Sequence, residues 1–571
     1  MKMKKIFLIM SVTASLFMTA CSQDEPDPNG GNGDDISDGN TSYMAVNMIS
    51  SDDMAPRSGG YEFGTTAENK VTSVRFYFFT ANGQPANVKL LNNAYVNFYD
   101  WETGIVEEPG SGDVEKRLKA TIVINTKQGD KLPQQIVAVL NPTTAFKNDV
   151  NSKNLSDLKA IVRDFAHSDY TKEGSFVMFN SVYGNDAKTE EICAVQITKN
   201  NLQTTEDAAK ANPVTLYVER SVAKVGIAFA SGVGTDLQKI ALKDKDGNAL
   251  KIGNEQVYLK IEGWDLTAET SNGRLVKAID LSWTTSWWNN GTHRSCWALN
   301  SPTAENKYYD YTNGINTAIS TSLYTNENAA YYPDETGHLA SNHTKFIIKG
   351  TLIRDGGGTF TIVRHLGSHF ADTYSATPSE NLPELKKNIL SQLSAGGYFY
   401  YYETTEDSKT VRKQIDTTDL LIVPATQINS ENSSNNCYVY AQLTEDAKKK
   451  TWYSSSNIEN KTVVSSDVIN GNLKNKEIID WALVWKDGMT YYYSEIIHND
   501  TDEDVPPTMG VVRNHVYKIN VNKIAGLGTP VYDPSKTIYP EKPDPNDHYI
   551  AAEINILAWH IVTNDYPLVW D

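Results

Sequence analysis

Residues 214–229 read Val-Thr-Leu-Tyr-Val-Glu-Arg-Ser-Val-Ala-Lys-Val-Gly-Ile-Ala-Phe. Val214–Arg220 and Lys224–Phe229 are rich in β-branched and aromatic residues, which marks two short strands in close succession. The same signal recurs along the chain. It is found at Val71–Thr80, Ala120–Asn125, Gln135–Asn141, Val257–Trp264, Lys345–Ile353 and Thr359–Val363, then at Tyr398–Glu403, Leu420–Ile422, Tyr438–Leu443, Trp481–Trp485 and Val516–Val521. Ile240–Ile252 has the pattern of a hairpin turning at Asp246-Gly247. Helical spacing is clear only at Asn154–Phe165 and Leu382–Leu393, and nothing repeats at a fixed period. Many short strands with turn punctuation define a mainly β chain of β-sandwich domains decorated by a few helices. Its 571 residues suffice for two or more domains.

The N-terminus sets where such a chain would work. Lys2, Lys4 and Lys5 precede the apolar stretch Ile6–Met18, and Thr19-Ala20 lead to Cys21. This is the order of a secretory signal, and the apolar part is too short for a stop-transfer helix. A cysteine at that place resembles the lipobox of bacterial lipoproteins, although Met18 stands where Leu is usual. Residues 1–20 are expected to be removed and Cys21 acylated; a plain signal peptide with an incidental cysteine is the alternative. Ser22-Gln23-Asp24-Glu25 is similar to the tag that sends lipoproteins of the Bacteroides group to the outer face of the outer membrane, with a solvated acidic linker as the bland reading. Ser22–Thr41 is dominated by Gly, Asn, Asp, Pro and Ser and reads as a flexible tether.

Charge agrees with a surface protein. The formal net charge is −18, and losing Lys2, Lys4 and Lys5 takes it to −21. Such a surface repels nucleic acid and anionic membranes. Besides Cys21 the chain has Cys193, Cys296 and Cys437, an odd set with neither disulfide-framework nor zinc-site spacing.

Two segments stand apart from the domains. Tyr43–Ile49 is a short apolar strand with Met44, Val46 and Met48 on one face. A polar stretch follows, and within it Arg57 is the first Lys or Arg after Lys5. It lies in a flexible run before Ser58, where proteolysis concentrates, though an ordinary solvated arginine would look the same. At the other end, five prolines between Thr529 and His548 mark a semi-rigid spacer. Eighteen residues at ~3.1 Å each would reach roughly 55 Å. Beyond it Tyr549–Trp559 has strand pattern, with Ala552, Ile554, Ile556 and Ala558 on one face. A strand on such a spacer can reach another molecule or return to its own sheet.

Several of these stretches together resemble a known family. Val218-Glu219-Arg220-Ser221-Val222-Ala223-Lys224, Val137-Ala138-Val139-Leu140-Asn141, Val512-Arg513-Asn514-His515-Val516-Tyr517 and Ile554-Asn555-Ile556-Leu557-Ala558-Trp559 are similar to the fimbrillins of the Bacteroides and Porphyromonas group, the type V pilins. The nearer likeness is to major subunits of short fimbriae. Ala558 departs from the proline usual there, and the resemblance is weak between Lys277 and Val484. It implies two transthyretin-like Greek-key β-sandwich domains, at 58–212 and 213–528, after a propeptide at 21–57. A spacer at 529–548 and a donor-strand region at 549–571 would follow. It also implies cleavage between Arg57 and Ser58 by a surface arginine- or trypsin-type protease. Removal of the first strand would open a groove, filled by the terminal strand of another subunit. Cleavage would remove eight acids and one arginine and leave −14. The implied partners are copies of the chain, fimbrial anchor and tip or accessory subunits, and host or bacterial surface receptors. The implied place is the cell surface, first as an outer-membrane lipoprotein and then in an extracellular fimbrium supporting adhesion and biofilm formation.

Enzymatic signals are faint, and no catalytic, metal or cofactor site is expected. His365 and His369 are four apart but lack the glutamate of a zincin helix. Gly356-Gly357-Gly358 lacks the helix and Lys-Ser/Thr of a phosphate loop. Asp244, Asp246, Asn248 and Glu255 mimic calcium-loop spacing, but Ala249 stands where that loop needs glycine. Trp283, Trp287, Trp288 and Tyr398–Tyr402 could stack on sugars, although aromatic strand residues are more often core. A surface glycan-binding lipoprotein is therefore the alternative reading.

Overall fold

The computed structural model describes residues 37–564 except 38, 40, 51–63, 103–105, 110–115, 151–152, 165–173, 186–188, 235, 245, 280–287, 290–293, 296–297, 302–304, 331–342, 426–437, 500–507, 541–552 and 558–562. The molecule is mainly β. Several strands fall where alternation places them, among them Lys345–Ile353, Tyr438–Leu443 and Val516–Val521.

The N-terminal part is built on a nine-stranded sheet. Its path runs Phe98–Trp101, Val74–Phe79, Gln135–Leu140, Met178–Asn180, Val214–Arg220, Thr41–Ser50, Lys116–Asn125 and Val106–Pro109, with Val195–Gln196 beside Gln135–Leu140. The sheet folds over so that its halves enclose one core. Phe76, Phe78, Ile136 and Ala138 come from one half, and Met44, Val46, Met48, Ile122 and Ile124 from the other. Every residue of Val74–Phe79 is buried, because its outer face packs into a second core with Phe146 and Leu158.

The second sandwich has two five-stranded sheets. One runs Leu323–Thr325, Ala223–Phe229, Val516–Val521, Glu553–Leu557 and Thr563–Asn564. The other runs Ile240–Ala241, Tyr258–Thr267, Lys345–Ile353, Met489–Glu495 and Thr529–Pro530. Val225, Tyr517, Ile519 and Val521 meet Leu259, Trp264, Phe346 and Ile348 between them. On this sandwich lies a third layer that sequence reading did not foresee. It is a five-stranded sheet running Ser368–Asp372, Thr361–His365, Ala482–Trp485, Tyr438–Leu443 and Leu420–Pro424, with helices Pro383–Ala395 and Ser466–Lys474. Its own core holds Leu385, Ile389, Leu393, Val439, Ala441, Ile469 and Leu473. The sheet's other face sends Ile362, Leu483 and Trp485 into the sandwich core.

Three expectations change. The helix expected over Asn154–Phe165 ends at Lys159, and Val162–Asp164 is a strand against Asn272–Arg274. Asn154 caps the short helix with its side chain, but the β-branched Val162 enters a strand once a partner strand is present. The sheets change over at Ser221-Val222 rather than at Pro213, because Val214–Arg220 pairs within the first sheet and Ala223–Phe229 within the second. The Pro-rich segment is not a free spacer from Thr529. Thr529–Pro530 pairs with Met489–Glu495, Thr537–Ile538 pairs with Tyr309–Asp310, and Val531, Tyr532 and Ile538 are buried. Proline costs a single ladder hydrogen bond at a sheet edge, and the apolar side chains between the prolines supply the docking energy.

Candidate functional site

Thr41–Ser50 occupies the middle of the first sheet. It lies antiparallel to Lys116–Asn125 over Thr41↔Asn125 to Ile49↔Arg117, and parallel to Val214–Arg220 over Val46↔Val214 to Ser50↔Val218. Tyr43 also exchanges backbone hydrogen bonds of 2.7 and 2.9 Å with Gln203. The face read from the sequence is the buried one: Met44 and Val46 are 0% exposed and Met48 1%. Burying these three side chains contributes on the order of 5–9 kcal/mol before ordering costs. Without this strand the sheet has no ladder between Val214–Arg220 and Lys116–Asn125, and its core lies open along that line.

The strand lining the groove runs directly into the second sandwich, and the stretches that carried the family resemblance meet there. Asn514 donates its backbone N–H to Val222 O at 2.8 Å, and Lys224 N donates to His515 O at 2.9 Å. Asn141 and Asn514 both adopt left-handed backbone, at φ 53° and 58°, which asparagine tolerates better than most residues. The Asn141 side chain accepts from Thr72 N and donates to Lys70 O and Phe176 O. Two buried ion pairs complete the junction. Lys277 Nζ is 3.0 Å from Glu219 Oε2 and donates to Ser295 O at 2.7 Å. Arg513 pairs with Glu327 through both ends of its fork at 2.5 Å and donates to Leu275 O and Arg274 O. All four charged side chains are 1–2% exposed. Burial pulls the Lys277 ammonium below its usual range against the pull of Glu219. Sequence reading missed these pairs, because Arg513 and Glu327 are 186 residues apart and carry no local signal.

A further anchor lies just downstream of the expected cleavage point. Glu68, fully buried, accepts from Thr65 N at 2.6 Å and Tyr324 OH at 2.7 Å, and its carboxylate is 2.7 Å from Lys224 Nζ. Burial opposes the charge, yet these three partners hold the carboxyl below its usual range. Arg220 Nε donates to Glu68 O at 3.3 Å. The chain that follows residues 51–63 is thus fastened to the second sandwich.

The terminal strand, Glu553–Leu557, lies antiparallel to Val516–Val521, with Tyr517↔Ile556 and Ile519↔Ile554 in register. It is on its own molecule's sheet, beside the two-residue strand Thr563–Asn564. Ile554 and Ile556 are therefore placed in a strand, while Ala552 and Ala558 lie outside the described residues. Cys21, Arg57 and Ser58 lie outside them as well, as do Trp283, Trp287, Cys296 and Cys437.

The remaining candidates take structural places. His365 and His369 sit on a hairpin, with His365 Nε2 3.1 Å from Asp480 O and His369 against Trp485. Burial lowers the His369 pKa to about 4. Among the described residues no group of three metal-ligating side chains occurs. Asp244 accepts from Asn248 N at 2.8 Å, closing the expected turn on itself. Tyr400 is buried and Tyr402 meets Trp452 edge-on. Cys193 is buried, and burial raises its thiol pKa to about 11.

A chain of this kind, mainly β with a strand-filled sheet and a terminal strand beyond a Pro-rich segment, finds one family match. Residues 484–565 match the family described as "Major fimbrial subunit protein type IV, Fimbrillin, C-terminal". The resemblance to fimbrillins is thereby shown, and it is a resemblance to structural subunits rather than to enzymes. No curated protein matches the sequence. Among solved structures, a fimbrilin from Porphyromonas gingivalis W83 is 14% identical with a TM-score of 0.36, over 92% of this chain and 98% of its own. A fimbrial assembly protein from Parabacteroides distasonis is 10% identical with a TM-score of 0.30, over 73% and 100%. The fimbrial anchor protein of Porphyromonas gingivalis is 11% identical with a TM-score of 0.23, over 58% and 95%. At these scores the structural likenesses carry no argument of their own.

Proposed function

We propose that this chain is a structural subunit of a cell-surface fimbria. It is exported as a lipoprotein acylated on Cys21, cut between Arg57 and Ser58, and polymerised by strand exchange. Its partners in the fibre are further copies of itself and anchor and tip or accessory subunits, and the fibre serves adhesion and biofilm formation. The observation that carries the reading is the place of Thr41–Ser50, a strand joined to the rest of the chain through a segment holding Arg57 and buried between two ladders. Cleavage turns it from part of the fold into a dissociable peptide. An open core and two unpaired ladders are a liability in water, and β-strand addition satisfies both at once. Glu553–Leu557 is the candidate donor. It must first leave Val516–Val521, so exchange trades one ladder for two.

Brief trypsin treatment of folded precursor tests this. The expected products are a new N-terminus at Ser58, the released peptide ending at Arg57, and a ladder of oligomers absent from Arg57→Ala. A ladder that forms equally well in Arg57→Ala, or release of the peptide with no oligomers, overturns the proposal.

A further inference from the structure

The third layer's sheet face toward the sandwich continues past the core to a part whose aromatic side chains belong to no core cluster of the described residues. Tyr438–Leu443 alternates: Val439, Ala441 and Leu443 are buried in the layer's core, while on the other face Tyr438 packs against the sandwich core and Tyr440 and Gln442, further along, are half-exposed. Trp481, half-exposed, precedes the neighbouring strand Ala482–Trp485. Tyr440 and Trp481 stack with ring centres 5.7 Å apart and planes 26° from parallel. The indole is held in place by its Nε1 donating to Lys474 O, at the end of helix Ser466–Lys474, at 3.0 Å. The Lys476 ammonium lies 4.1 Å from the Trp481 ring centre and 5.6 Å from that of Tyr438, and the Lys474 ammonium lies 5.7 Å from that of Tyr440. Both lysines are exposed and neither forms an ion pair among the described residues.

A solvated strand face has no need of two aromatic rings, and neither Tyr440 nor Trp481 belongs to a hydrophobic core of the described residues. An exposed lysine over a ring is held by only about 0.5–1 kcal/mol, so Lys476 is an easily displaced cover on a fixed indole. Displaced, its ammonium stays within reach of whatever takes the ring. We infer that Tyr440, Trp481, Lys474 and Lys476 form a binding platform for an acidic polysaccharide. The apolar face of a sugar ring lies on the Trp481–Tyr440 surface, and the two ammonium groups take its carboxylate or sulfate. Two cations beside flat rings suit widely spaced charges. A nucleic acid would require a continuous basic track along its backbone. The chain's net charge of −18 acts only over short range, since exposed charges are screened beyond about 8 Å in physiological salt. Glu477 and Asp480 are exposed on the same turn and set a preference for ligands that keep their charges at the lysines.

Calorimetric titration of uncut full-length precursor tests the platform, and since it uses the monomer its outcome is separate from that of strand exchange. Chondroitin sulfate is expected to bind, more weakly as salt rises, and neutral dextran is not. Trp481→Ala and the surface pair Lys474→Gln/Lys476→Gln are each expected to weaken binding by about tenfold or more. The lysine pair keeps the test valid should the tryptophan variant misfold. Absent binding of chondroitin sulfate, equal binding of dextran, tighter binding of oligo-dT, or binding indifferent to both variants overturns the inference.

Discussion

Thr41–Ser50 and Glu553–Leu557 are both strands near an end of the chain, yet the fold holds them differently. The first is captive, with a long ladder on each side and Met44, Val46 and Met48 sealed in a core. The second has one full ladder and, beyond it, only the two-residue strand Thr563–Asn564. A strand with two long ladders leaves only when its covalent tie is cut and its core contacts are replaced. A strand next to an edge can peel away residue by residue. The chain thus keeps the strand with two long ladders on the side of Arg57 and the strand with one full ladder at the Pro-rich end.

The largest effect that would break this comparison comes from deletion. A chain produced directly as 58–571 is expected to aggregate or form oligomers, whereas one ending at Pro540 stays a soluble monomer with cooperative unfolding. Size-exclusion chromatography with light scattering reads both. A stable monomeric 58–571 chain would show that the first strand is not integral.

The junction comes next. Arg513→Leu leaves Glu327 buried without its partner and is expected to cost about 3–5 kcal/mol in urea unfolding. Arg513→Leu combined with Glu327→Leu should recover part of that loss, since no charge is then left uncompensated. A double variant no better than the single one would mean that the pair acts through packing.

Met48→Ala sharpens the contrast further. It should cost about 2–4 kcal/mol in the precursor, as a large-to-small change in a filled core. It should have no effect once the peptide ending at Arg57 has been released. A loss that persists after release would place Met48's contribution outside the removable strand.

The smallest expected effect is a pH dependence confined to the second sandwich. Burial raises the Asp265 pKa from 3.8 to about 7, partly offset by hydrogen bonds from Leu266 N and Thr317 Oγ1. Between those values the folded chain holds a proton that the unfolded chain has lost. Stability should therefore fall as pH rises from about 4 to 7 and level off above. Asp265→Asn is expected to gain about 1–2 kcal/mol at pH 8 and nothing at pH 4. An equal gain at both would assign the effect to packing.

Much of this was legible along the chain. The buried face of the first strand follows from Met44, Val46 and Met48 alone, because alternation needs no partner to be visible. Helix Pro383–Ala395 was equally plain from Leu385, Ile389 and Leu393, with Pro383 at its first turn. The shortened helix at Leu155–Lys159 was not, because the strand that captures Val162–Asp164 lies about a hundred residues on. The third layer was hidden for a different reason. Its strands read correctly one by one, but nothing local says that their two faces serve two different cores.

By itself the sequence determined the mainly β character, the alternation that decides which side of each strand is buried, and the turns closed by Asp, Asn and Gly. These depend on backbone sterics and side-chain polarity within a few residues. Only the tertiary structure decided that Val214–Arg220 and Ala223–Phe229 belong to different sheets, and that Arg513 pairs with Glu327. It also decided that the terminal strand rests on Val516–Val521 and that the Pro-rich segment docks through Thr537–Ile538 on Tyr309–Asp310. Strand partners and buried ion pairs are chosen by which surfaces can desolvate together, and that choice exists only once distant segments compete for the same core.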